Sequence, residues 1–116
     1  MAKAAKRAPP RAPAPAKAAL QRLAELALKG SPPDRVAREV EAIAAGWLEG
    51  ADDALRQDIR ERLGEMHDEL AAGVDAAQDQ VEDLDRSDAA GLKQAGRSLA
   101  ALEAARDALA AAQRAI

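Results

Sequence analysis

His67 is the only histidine in this chain of 116 residues, and it stands among Glu65, Asp68 and Glu69. Imidazole beside carboxylates is the raw material of a metal site or of an oriented general base. Neither is completed here. Di-metal sites in four-helix bundles use Glu-x-x-His, and position 64, three residues before the histidine, is glycine. A Ser–His–Asp arrangement would rest wholly on His67, and Ser31, Ser87 and Ser98 lie in no nucleophile motif. The absence of cysteine removes thiolate metal sites and disulfides, and it fits a reducing compartment. The residues therefore read as a solvated or edge-lying histidine, with no catalytic group, cofactor or metal, in a protein that is not an enzyme.

The carboxylates form a second pattern. Asp75, Asp79 and Asp83, with Glu61 and Glu65, stand at i, i+4 along one helical run. They lack the loop and the glycine of a calcium-binding hand, so they read as a solvated face. From Asp52 to Asp85 twelve acids oppose three bases, a net of −9; from Ala89 onward four bases oppose two acids, a net of +2. Residues 1–17 hold Lys3, Lys6, Arg7, Arg11 and Lys17, no acid, and prolines at 9, 10, 13 and 15. Proline at that density denies a helix ladder, which predicts a flexible, disordered basic tail over 1–17 ahead of a helical bundle over 18–116. Its five cations make a candidate polyanion-binding tail, although no aromatic residue interleaves them and the body is acidic. The acidic run can also attract the following helix, or the basic tail of the same or a neighbouring molecule.

The elements that carry these charges are written in apolar spacing. Val36, Val40, Ile43 and Trp47 begin a stripe that resumes as Leu55, Ile59, Leu63, Met66, Leu70, Val74, Ala77, Val81 and Leu84. Gaps of three and four residues describe one face of an α-helix. Leu48, Ile59, Leu70 and Val81 recur every eleven residues, which favours straight or slightly right-handed packing. Ala95, Leu102, Leu109 and Ile116 recur every seven, with Leu92 and Leu99 on the same seam, a short coiled-coil pattern. Alanine supplies 33 residues against 22 larger apolar side chains, so helix propensity is high and the core is lean. The only aromatic residue, Trp47, is in register with the stripe. It reads first as a core residue and second as the anchor of a binding surface.

Boundaries follow from caps and breakers. Helices are predicted over about 17–29, 32–49, 53–84 and 88–115. Gly30 ends the first, on a face of Leu20, Leu23 and Leu26 or Ala27. Ser31 is expected to cap the second with Pro32 at its first position and Asp34 in its first turn. Gly50 and Asp52 are expected to break the chain before the third, and Ser87 to cap the fourth. Acid-before-base pairs at i, i+4 (Glu25/Lys29, Asp34/Arg38, Asp52/Arg56, Asp58/Arg62, Glu82/Arg86) support the helices. The short connection at residues 85–88 implies antiparallel neighbours. The fold class is all-α: an antiparallel helical hairpin or bundle of three to four helices, the first two lying back along the hairpin of the last two.

The run from Leu23 to Gly30, the run from Val36 to Ala51 and the segment from Val81 to Ala95 resemble an uncharacterised bacterial family of all-helical proteins, a domain of unknown function. That resemblance implies a helical fold and a bacterial origin, with no assigned activity. A weaker likeness is to phasins, helical coats of polyester granules with Ala/Pro/Lys-rich tails, which implies reversible binding to a lipid or polymer surface. No apolar run reaches the ~18 residues of a membrane span, and the basic start lacks the apolar core of a secretory signal. A cytoplasmic location is expected. Taken together, the residues predict a non-catalytic assembly or adaptor protein. It would form a homo-oligomer or bind a protein partner through Val36, Val40, Ile43, Trp47, Leu55, Ile59, Leu63, Met66, Leu70, Val74 and Val81. The alternatives are phasin-like surface binding by the same stripe and nucleic-acid association by the tail.

Overall fold

The computed structural model describes residues 16–116. Among them the chain forms four helices and no strand: α1 (Ala16–Leu28), α2 (Pro33–Leu48), α3 (Asp53–Asp83) and α4 (Ala89–Ala115). This is an all-α bundle. The flexible tail expected over 1–17 lies outside the described residues, except that Ala16 and Lys17 already belong to α1.

Each boundary has a local cause. At the end of α1, Gly30 takes φ +68° while its amide donates to the Ala27 carbonyl and the Ser31 amide donates to the Leu26 carbonyl. These paired bonds close a helix C-terminus, and the left-handed residue they need is glycine. The expected cap is corrected. The first intrahelical bonds of α2 go from the Arg35 and Val36 amides to the Pro32 carbonyl, so α2 starts at Pro33, with Pro32 at the cap position and no side-chain cap bond. At the end of α2, Glu49 (φ −60°, ψ 119°) and Gly50 (φ +72°) form a turn closed by the Ala51 amide on the Leu48 carbonyl. Those angles are of type II, which requires positive φ at its third residue. The break at Gly50 follows from that turn, and Asp52 caps α3 by accepting the Leu55 amide at 2.8 Å.

The α3–α4 connection departs from expectation by one residue. Asp88, rather than Ser87, caps α4, its carboxylate accepting the Gly91 amide at 2.9 Å. Ser87 is held elsewhere: its amide and its hydroxyl both donate to Asp85 Oδ1, at 2.8 and 2.7 Å.

α3 and α4 form an antiparallel hairpin. The early part of α3 meets the end of α4, where Arg60 Nη2 donates to the Ile116 carbonyl oxygen at 2.7 Å. α1 and α2 lie back on this hairpin, and both pack chiefly on α4. The Gln94 side-chain amide donates to the Leu28 carbonyl at 2.9 Å, which pins the end of α1 to the first half of α4. α4 is therefore the hub of the bundle. Its sequence suits that place because alanine allows close approach on several sides: Ala101, Ala105 and Leu109 are buried, and Ala104, Ala108 and Ala112 are half-buried. The seven-residue seam of Ala95, Leu102 and Ile116 is only half-buried, and burial is centred on 101, 105 and 109, at helical i, i+4 spacing.

Candidate interaction grooves

The residues with chemical potential are dispersed on the surface. His67 is half-buried on α3, its Nδ1 3.2 Å from Asp68 Oδ1 on the neighbouring residue. Glu61, Glu65, Asp75, Asp79 and Asp83 are exposed, and Glu61 accepts a bond from the Gln57 side chain at 3.2 Å. Among the described residues no group of three or more His, Cys, Asp or Glu side chains is placed to hold a metal ion. Asp85 has its carboxyl held below the ordinary carboxylate range by the Ser87 amide and then by the Ser87 hydroxyl. It is fully exposed, and its contacts serve the turn.

Ion pairing also differs from the sequence pattern. Glu25/Lys29, Asp34/Arg38, Asp52/Arg56 and Glu82/Arg86 form no side-chain ion pair, as befits exposed side chains whose pairing is worth only tenths of a kcal/mol. Arg22 and Glu39 form an ion pair between α1 and α2, at 3.9 Å.

The apolar stripe is placed in the core of the single chain. Val36, Val40, Ile59 and Leu63 are fully buried, and Met66, Leu70, Val74 and Trp47 are nearly so. Ile43, Leu55 and Val81 are half-buried, the first two packed on the core cluster. Within the single chain the hairpin and the two leading helices cover most of the stripe and leave Ile43, Leu55 and Val81 partly open.

What remains open is a groove between α1 and α3. α1 turns two faces inward. Ala19, Leu23, Leu26 and Ala27 enter the core, while Lys17, Leu20, Gln21, Ala24 and Leu28 form a second row facing α3. Because α1 rests mainly on α4, this second row does not close against α3. Two hollows result, sharing Ala24. The first, about 700 Å³, lies between Lys17, Leu20 and Gln21 on α1 and Arg62, Glu65, Met66 and Glu69 on α3. The second, about 590 Å³, lies among Leu28, Gly73, Ala77, Leu84, Ala95 and Leu102, with α4 as its floor.

Leu28 stands at the rim of the second hollow and is 74 % exposed, the one large hydrophobic side chain so exposed among the described residues. It escapes a reading for amphipathic spacing because it falls about 200° around the helix from Leu26. That displacement was the available signal: a leucine off the core face, at the last turn of a helix, ahead of a glycine stop.

No helix among the described residues is long and apolar enough to cross a membrane. Neither a protein-family model, nor a characterised protein, nor a solved structure matches this chain.

Proposed function

We propose that this chain is a non-catalytic helical assembly module that pairs with a second copy of itself over the α1–α3–α4 hollow. The observation that carries the reading is Leu28, three-quarters exposed beside an apolar hollow lined by small side chains. Knob and hollow occupy the same face. Two copies related by a two-fold axis can therefore each present Leu28 to the other's hollow, which is the self-complementarity an isologous dimer requires. Burying a leucine is worth about 1.5–3 kcal/mol, counted once in each copy. The rim residues Gln80, Gln94 and Ser98 are uncharged, so little charge is desolvated on closure. His67 and the dispersed acids supply nothing further that such a role would use.

The test is solution mass by size exclusion with light scattering across a concentration range. The wild-type chain is expected to reach twice the 12.1 kDa of one copy. Leu28→Asp is expected to return it to a single copy with unchanged helicity, since that side chain contributes nothing to the core. A wild-type mass of 12.1 kDa at every concentration overturns the proposal.

A further inference from the structure

The carbonyls that end α1 can be accounted for one by one. A helix leaves its last four to find partners beyond its own ladder. Glu25 accepts the Lys29 amide at 3.1 Å, Leu26 the Ser31 amide at 3.0 Å and Ala27 the Gly30 amide at 2.9 Å. The fourth carbonyl belongs to Leu28, the exposed side chain at the rim of the second hollow. Among the described residues no backbone amide donates to it. Its donor comes from α4, as Gln94 Nε2 at 2.9 Å.

That donor becomes necessary only when Leu28 is covered. On a single copy the bond is exposed, and water can serve the carbonyl in place of Gln94. When Leu28 enters the hollow of a second copy, water leaves the last turn of α1, and a carbonyl left bare there costs its full desolvation. The choice of side chain fits this place. Lysine or arginine can also serve terminal carbonyls, but would carry a charge into a hollow whose lining side chains are all uncharged. The bond also fixes how Leu28 stands over the hollow. It ties the α1–α2 turn to α4, where a Cβ at Gly30 would lie 3.5 Å from Gln94 Nε2 and 3.1 Å from Arg97 Cβ.

We infer that Gln94 is the positioning residue of self-assembly: from α4 it supplies the donor that the last carbonyl of α1 lacks, so that Leu28 enters a second copy with no backbone group unpaired. This role rests on assembly through Leu28. It gives Gln94 a signature unlike that of a residue that merely holds the bundle together, because its loss weakens pairing far more than folding.

The test compares two changes of the same kind on the whole chain. Gln94→Met keeps the length of the side chain and removes the donor. Gln80→Met does the same on the α3 wall of the hollow, where the glutamine serves no helix end. Dissociation constants come from light scattering across a concentration range. Gln94→Met is expected to weaken pairing about thirtyfold or more, from one bare carbonyl in each copy, and Gln80→Met to leave it nearly unchanged. In a Leu28→Asp background, which holds a single copy, Gln94→Met should move the melting midpoint by no more than about 4 °C, since an exposed hydrogen bond adds little. The Leu28 carbonyl ¹³C resonance should move upfield in Gln94→Met as its donor is lost. Pairing of Gln94→Met as tight as that of the wild type overturns the inference, and so do equal losses in the two variants. A single-copy midpoint lowered well beyond that range makes Gln94 a residue of the fold and overturns it as well. An unmoved carbonyl resonance overturns it whether or not the chain pairs, whereas a wild type that never pairs overturns the assembly reading.

Discussion

Ala101 gives the sharpest test of α4 as the hub of the bundle. Its side chain has 0 % exposure on a helix that touches all three others, and Ala105, one turn on, has 1 %. Ala101→Leu adds three carbons where neighbouring backbones approach over alanine. Inserting such bulk into a packed site costs about 1–3 kcal/mol. For a domain of this size about 1 kcal/mol moves the midpoint by some 4 °C, so the variant should melt about 4–12 °C below the wild type. Ala111→Leu is the matched control, the same change in the same helix at an exposed position. Leucine and alanine differ by only a few tenths of a kcal/mol in helix propensity, so the control should melt within about 1 °C of the wild type. Both are read by far-UV circular dichroism, with Trp47 fluorescence as a second probe of the same transition. If Ala101→Leu melts with Ala111→Leu, α4 is not clasped on that side, and the arrangement of α1 and α2 against it is refuted.

The glycines divide by backbone and by space. Gly46 is helical with nothing within 4 Å of a built Cβ, so Gly46→Ala should stabilise by about 0.5–1 kcal/mol through helix propensity. Gly30→Ala should destabilise by about 1–2 kcal/mol from the left-handed backbone alone, and its Cβ would lie 3.1 Å from Arg97 Cβ. Denaturant midpoints decide both, and the same sign for the two changes would contradict the turn geometry. Asp85 should titrate below the ordinary aspartate range by NMR. Its folded pKa is depressed, so whatever it contributes to the turn is present above the unfolded pKa and is lost as pH falls through the folded one. Ser87→Ala should raise that pKa only in part, because the Ser87 amide is the larger cause.

The helices were legible because their punctuation is chemical. Gly30, Gly50 and Asp52 each meet a backbone requirement that few other residues satisfy, and the stripe from Val36 to Val81 has the spacing of a buried face. Ser31 and Ser87 were misread for one shared reason. A serine before a helix is a generic cap, and nothing in its neighbours reveals that the following residue takes the cap position instead, Pro32 through its carbonyl in one case and Asp88 through its carboxylate in the other. The central place of α4 was illegible because alanine carries almost no pattern. Ala101 and Ala105 have the same side chain as exposed Ala111, and only three-dimensional packing distinguishes them. The stripe itself was read correctly as a face, but spacing cannot tell whether the surface that covers it comes from the same chain or another.

That distinction bears directly on surface binding. A granule or bilayer coat would have to use the apolar face of α3, and Ile59, Leu63, Met66, Leu70 and Val74 are at most 6 % exposed inside the bundle. At about 1.5–3 kcal/mol each, burial of these five side chains represents about 8–15 kcal/mol that a foreign surface must return before binding gains anything. The polar side of the helix works against that exchange, because it is acidic where surface-active helices present lysine and arginine. The folded wild-type chain is therefore expected to stay in the supernatant when centrifuged with anionic vesicles or with hydrophobic particles. Ile59→Asp, which sets a charge in the core, should lose helicity rather than merely change partners. Sedimentation of the wild type with its helicity retained and its α3 amides newly exposed would refute this reasoning. It would mean that the hairpin opens at a cost far below the one its buried side chains imply.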